Sequence, residues 1–372
     1  MIFGGPGRYI QGANVLSKFP EYLNKFIGKK SLRSLIVGGK RSLVSCGLLM
    51  ETLKENRLEY DEECFGGECC NKEIDRLSSL VSRNDYDLII GIGGGKSIDT
   101  MKLVANLNKK PVVVVPTIAS TDAPCSALSV VYSETGVFER YEFFPRSPDL
   151  VIVDTSVVAK SPPRTLVSGM GDALATYWEA RACLRSGAIN CLGGRTSPSS
   201  LALSRLCYDS LIEFGKQAFI DCQNQTVSTA LERVVEANTL LSGVGFESGG
   251  LAAAHAIHNG FSTIPATQKF LHGEKVAFGT LVQLILDQEP KETINQVLNF
   301  CSSVNLPITL SQIGINTSKN NFITSGLRKV AEKSMAEGET IHNLPYKFDR
   351  QTIMDAILEA DKLGRMWNVN HN

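Results

Sequence analysis

Three of the chain's five histidines fall within one short stretch, as His255, His258 and His272; the other two, His342 and His371, lie well downstream. Neutral imidazole offers a lone pair near pH 7, which makes histidine the commonest metal ligand. The run Ala253-Ala254-His255-Ala256-Ile257-His258-Asn259-Gly260 reads as a helix, so His255 and His258 share a face at i, i+3 spacing. Pro265 interrupts the chain before His272, and a second helix starting there can fold back and bring His272 close. One packed and two solvated histidines would give the same pattern. A catalytic metal needs at least a third ligand and an open coordination position. An acid that stands out is Asp172, inside the apolar helix start Gly169-Met170-Gly171-Asp172-Ala173-Leu174-Ala175-Thr176. A carboxylate there is costly unless it is paired, hydrogen-bonded or metal-bound, although the helix N-terminus also favours an acid.

A second chemistry is written in Gly91-Ile92-Gly93-Gly94-Gly95-Lys96-Ser97-Ile98-Asp99-Thr100, which follows a run of strand-like residues. Glycines at a strand-to-helix turn let backbone N–H groups approach an anion, and the helix N-terminus favours negative charge. Gly95-Lys96-Ser97 resembles the end of an ATP-binding P-loop, but that motif needs a glycine where Ile90 stands. A pyrophosphate cradle with Lys96 as counter-charge remains, since three glycines and a lysine exceed what a plain turn needs. The next loop, Pro116-Thr117-Ile118-Ala119-Ser120-Thr121-Asp122-Ala123-Pro124, leaves another strand's carboxyl end, where ligands bind in open α/β sheets. Its hydroxyls and the single acid Asp122 suit a ligand, or a Ser- and Asp-rich turn.

The elements that position these residues divide the chain. Residues 34–39, 87–92, 111–116 and 149–153 are short β-branched runs, as expected of strands buried on both faces of a parallel sheet. Residues 42–56, 71–83 and 97–108 between them carry helical patterns. This βαβ order predicts a doubly wound, mostly parallel, Rossmann-like α/β domain over residues 1–160. Residues 128–132 and 141–144 read as a hairpin appended to its sheet. Strand signals stop after Ser161-Pro162-Pro163, where Ser161 can cap a helix whose first turn holds the prolines. Residues 161–372 then read as an all-helical domain, including an amphipathic segment from Asp349 to Trp367.

Composition limits the partners. The net charge is zero, which argues against nucleic acid as a main partner. No apolar run approaches the length of a membrane span. The start Met1-Ile2-Phe3-Gly4-Gly5-Pro6 lacks the charged head and apolar core of a signal peptide, so a cytoplasmic location is expected. The ten cysteines are scattered apart from Cys64, Cys69 and Cys70, form no CxxC, and read as small buried hydrophobes.

The ordered set Gly93–Thr100, Ser120–Pro124, Gly169–Thr176, Gly249–Gly260 and His272–Leu281 resembles the glycerol dehydrogenase branch of the iron-containing alcohol dehydrogenase superfamily, from the N-terminus to the last helix. The resemblance implies a dehydroquinate synthase-like architecture and an NAD-dependent enzyme that oxidises glycerol to dihydroxyacetone, and related vicinal diols. It implies zinc held by Asp172, His255 and His272. Iron-binding relatives carry a further histidine where Thr176 stands here, which leaves three ligands and an open position. His258 would then be substrate-facing or support the ligands, and is a candidate proton acceptor. The dinucleotide would lie on Gly94, Gly95, Lys96, Ser97 and Asp99, with Thr117, Ser120, Ser126, Leu128 and Tyr132 around its nicotinamide half, and Asp122 would bind substrate hydroxyls. A small polyol is the implied partner, and a homo-oligomer the implied assembly.

One position departs from the family pattern. The first strand usually ends in an aspartate that binds the adenosine ribose; here the run is Gly38-Gly39-Lys40-Arg41, with Gly39 in its place. An acid there repels a 2′-phosphate and basic residues accommodate one, so tolerance of NADP beside NAD, or preference for it, is expected. Related dehydroquinate synthase-like lyases carry a glutamate ligand and a Lys/Arg cluster for their substrate. Asp172 and its nearly uncharged surroundings fit that reading, or a phosphorylated alcohol, less well.

Overall fold

The computed structural model describes residues 1–28, 32–316 and 320–371, side chains of 320–324 excepted. Two compact units divide them: one comprises Gly4–Leu166 and Ile220–Gly243, the other Met1–Phe3, Val167–Phe219 and Val244–Asn372. The helical stretch Ile220–Gly243 thus packs with the α/β unit rather than with its sequence neighbours.

The α/β unit carries eight strands among the described residues. They are β1 (Tyr9–Gly12), β2 (Arg33–Gly38), β3 (Glu59–Cys64), β4 (Leu88–Gly93), β5 (Val112–Pro116), β6 (Leu128–Tyr132), β7 (Phe138–Phe143) and β8 (Leu150–Asp154). Six form one sheet in the order β1-β8-β5-β4-β2-β3, every neighbouring pair parallel. The four strands legible as β-branched runs, β8, β5, β4 and β2, are its centre. Ile36, Ile90, Val113, Val115 and Ile152 are fully buried within one apolar cluster. The two strands that the sequence does not announce are its edges. β3 reads Glu-Tyr-Asp-Glu-Glu-Cys and is buried at no position, and the four residues of β1 are half-buried. An edge strand is covered less, so it need not be apolar.

The helix Asn71–Arg83 matches its predicted span, and Gly95–Leu107 starts earlier than predicted, directly on the glycine loop. The single helix expected over 42–56 is two, Lys40–Ser45 and Gly47–Glu55, broken at Cys46. The hairpin β6–β7 is antiparallel but forms its own two-stranded sheet instead of extending the large one. The helix Gly95–Leu107 holds it there: Asp99 O accepts from Ser129 Oγ at 2.8 Å, and Asp99 Oδ2 from the Val130 N–H at 3.0 Å.

The other unit is helical. Pro163 is the first residue of the helix Pro163–Ser186, where its missing N–H leaves no bond unmade. The helices Ala253–Phe261 and His272–Leu286 pack against one another, and the last helix runs Arg350–His371. No helix among the described residues is long and apolar enough to cross a membrane.

Candidate active site

Two close backbone approaches bring Asp172 and His272 together. A Cβ at Gly273 would lie 1.7 Å from Ser168 O, and one at Gly171 would lie 2.3 Å from Gly273 O. Glycine at both positions lets the start of the helix His272–Leu286 touch the helix Pro163–Ser186 backbone to backbone. Asp172 Oδ1 then lies 3.1 Å from His272 Nε2 and 3.3 Å from His255 Nε2. One ligand atom from each residue falls within 4.8 Å of the other two. Ligand atoms about 2.0–2.1 Å from a tetrahedral ion lie about 3.3 Å apart, so the two contacts suit a shared cation.

The electrostatics agree. Asp172 is 1% exposed. Burial opposes its ionisation, but the neighbouring His272 and His255 imidazoles outweigh this and hold its pKa below the ordinary carboxylate range. Burial likewise opposes charge on His255, and the carboxylates of Glu179 and Asp172 outweigh it and raise the pKa.

Glu179 is a site residue that sequence reading missed. It is fully buried on the same helix as Asp172, seven residues on, and so two turns along one face. Its Oε2 accepts from His255 Nδ1 at 2.6 Å, and its Oε1 from the backbone N–H groups of Ala252 and His255 at 2.8 and 3.0 Å. An ionised carboxylate only accepts, so His255 carries a proton on Nδ1, and its Nε2, once deprotonated, turns a lone pair toward Asp172. Two acceptors facing each other at 3.3 Å need a cation or a proton between them. Carboxylates behind metal-binding histidines recur for this reason. His258 faces the group from behind, its Nε2 3.1 Å from His272 Nδ1. Burial, then His272 and Lys275, push its pKa well below the usual histidine range, so it stays neutral.

In the α/β unit the glycine loop forms as its sequence suggests. Gly93 has φ +147, a conformation that a side chain would strain, and Gly94 precedes the helix Gly95–Leu107. Thr117 is buried and its N–H bonds Gly93 O at 3.0 Å, joining this loop to the one after β5. Lys96 is exposed, paired with Glu68 and 5.4 Å from the Tyr132 ring centre. Ser97 is buried and donates to Ile92 O at 3.0 Å. Asp99 lies behind the loop, paired with Lys102 at 3.0 Å. The buried Lys102 also donates to the carbonyls of Ala123, Ser126 and Leu128, which fixes the path of that segment. Ser120 and Asp122 are half-buried, and Asp122 Oδ2 accepts from Ser242 Oγ at 2.7 Å. Ser242 follows a one-turn π-helix, Ala237–Leu241, whose Asn238 donates to Ala119 O at 3.0 Å and anchors the same loop. Neither residue carries a local sequence signal, because each acts across a long chain separation.

The family model described as iron-containing alcohol dehydrogenase matches residues 6–155. The chain is 48% identical to a glycerol dehydrogenase of Thermotoga maritima, over 97% of each chain. The chain belongs to the iron-containing alcohol dehydrogenase family. It is also 49% identical to a glycerol dehydrogenase of Escherichia coli O6:H1, over 98% of this chain and 97% of that one. The crystal structure of glycerol dehydrogenase from Schizosaccharomyces pombe superposes with a TM-score of 0.93 at 37% identity, covering 99% of this chain and 92% of that one. This iron-containing alcohol dehydrogenase family member is an oxidoreductase. It places Gly39 just after β2, half-buried, with Lys40 and Arg41 exposed beside it. Thr176, one turn after Asp172, is 1% exposed. A Cβ at Gly245 would lie 2.6 Å from its methyl, so this small side chain is tightly packed.

Proposed function

We propose that the protein is a polyol dehydrogenase acting on glycerol and related vicinal diols, with zinc at Asp172, His255 and His272 and a nicotinamide dinucleotide on the Gly94–Ser97 loop. The convergence of one buried carboxylate and two imidazoles carries this reading, and the near-full-length likeness to glycerol dehydrogenases supports it. Zinc is favoured over iron because three ligands with an open position suit a catalytic zinc, and the packed Thr176 adds no donor of a fourth histidine's kind. Oxidation removes a hydride from the carbinol carbon and a proton from its hydroxyl; the cation supplies Lewis acidity to that hydroxyl, and the dinucleotide supplies the hydride acceptor.

The chain's own residues do the rest. Glu179 holds His255 in the tautomer that presents Nε2. Lys96 offers a counter-charge to phosphate, and the backbone N–H groups of the glycine loop offer donors. Ser242 steadies Asp122, whose carboxylate accepts from a second substrate hydroxyl. Asp122→Ala is expected to lower kcat/KM on glycerol about 10–100-fold, as loss of a hydrogen bond to a charged group costs about 1.5–3 kcal/mol. Simple secondary alcohols should barely change; equal losses on both substrates would contradict the role.

The deciding assay follows reduced-coenzyme absorbance on adding glycerol to zinc-loaded protein, with NAD and NADP in parallel. A rate that a chelator abolishes and zinc restores is expected, and a chelator-insensitive rate would refute the metal reading. With Gly39 in place of an acid, the two coenzymes should differ in kcat/KM by less than about a hundredfold, about 2.7 kcal/mol. Gly39→Asp should widen that ratio in favour of NAD by repelling the 2′-phosphate. An unchanged ratio would remove Gly39 from coenzyme choice.

A further inference from the structure

The side chains behind His272 form one continuous hydrogen-bonded chain. His272 Nδ1 lies 3.1 Å from His258 Nε2, and His258 Nδ1 lies 3.1 Å from Asn259 Oδ1. Asn259 Nδ2 donates to Glu339 Oε2 at 2.9 Å, and Lys333 Nζ meets Glu339 Oε1 at 2.7 Å. The Glu339 side chain is 8% exposed, and it precedes the short turn Thr340–Asn343.

The carboxylate sets the direction of the chain, because an ionised carboxylate accepts and cannot donate. Asn259 must therefore turn its NH2 to Glu339 and its carbonyl oxygen to His258. An acceptor at that place requires His258 to carry its proton on Nδ1, which leaves Nε2 a bare lone pair. His272 must then donate from Nδ1, so the nitrogen left to face a cation beside Asp172 Oδ1, 3.1 Å away, is Nε2. Glu179 imposes the same state on His255 by direct contact. Two carboxylates thus each engage the Nδ1 side of one imidazole, Glu179 directly and Glu339 through Asn259 and His258, and leave both Nε2 atoms facing one aspartate.

We propose that Glu339 is a positioning residue that acts through Asn259 and His258 to fix His272 with its lone pair on Nε2. The proposal rests on the reading of His272 as a metal ligand. It also gives His258 a role, as a relay of orientation with both ring nitrogens engaged.

The test uses the full-length protein. Long-range nitrogen-15 imidazole spectra of the zinc-loaded wild type should show His258 and His272 both protonated on Nδ1; a His258 protonated on Nε2 would overturn the proposal whatever any variant does. Glu339→Gln keeps the shape but supplies an amide that can donate, so Asn259 is free to turn over. Its zinc dissociation constant, measured by chelator competition, should rise by about tenfold or more, the effect typical of residues that orient metal ligands. NAD affinity, read by fluorescence titration, should be unchanged. A variant that binds zinc within about twofold of a zinc-binding wild type would overturn this proposal alone. A wild type that binds no zinc would overturn the metal reading and this proposal with it.

Discussion

His272→Ala is expected to reduce kcat/KM for glycerol by at least about a thousandfold, about 4 kcal/mol, while NAD still binds. The loss follows from the geometry. His272 is one of the three residues of the group, with Asp172 and His255, and without it the buried acid keeps a single imidazole neighbour. Lewis-acid stabilisation of developing negative charge is worth several kcal/mol, and a site with two ligands cannot hold the cation in place to give it. The residues expected to take the dinucleotide lie in the other compact unit, Gly4–Leu166 with Ile220–Gly243. Fluorescence titration with NAD should therefore give a dissociation constant close to that of the wild type. Retention of a substantial fraction of the activity, or loss of coenzyme binding in parallel, would contradict this assignment.

Glu179→Ala should damage the fold as well as the site. Its carboxylate accepts three hydrogen bonds in a fully buried setting. Removing one partner of a buried charged network typically costs about 3–5 kcal/mol, because the others are left without compensation. For a domain of this size that corresponds to a melting temperature lower by about 10 °C. Two of the orphaned donors are backbone N–H groups at the start of the helix Ala253–Phe261, so that helix should fray first and take His255 with it. Glu179→Gln keeps the volume and one acceptor, and should lie between wild type and alanine in calorimetry. An alanine variant that melts with the wild type would show that Glu179 is dispensable to this helix.

Much of the α/β unit is legible from the order of residues alone. The centre of the sheet is written in runs such as Val112–Val115, because a strand covered on both faces must be apolar at every position. The edges β1 and β3 are not written that way, since among the described residues one side of each meets no further strand. The hairpin β6–β7 is visible as a hairpin, but its separation from the main sheet is decided by bonds to Asp99, 30 and 31 residues before the residues that make them. The glycine loop after β4 is visible because its glycines answer a local backbone demand.

The candidate site divides along the same line. By itself the sequence determined the donor types, with His255 and His272 at or near helix starts, and the glycines that let the chain segments approach; Asp172, expected at a helix start, lies instead nine residues inside the helix Pro163–Ser186, because that helix begins at the prolines. The sequence also determined the absence of a local cap. The segment Gly249-Gly250-Leu251-Ala252-Ala253 holds no Ser, Thr, Asp or Asn to close the helix that carries His255. The tertiary structure alone decided what closes it: Glu179 takes the N–H groups of Ala252 and His255, and Gln283 takes that of Ala254 at 3.0 Å. It likewise decided the orientation of both imidazoles, through Glu179 on one side and Glu339 on the other. The physical reason is common to both. Periodicity and turn chemistry record what neighbouring residues do to one another, whereas a buried hydrogen bond is satisfied by whichever side chain folding brings within about 3 Å.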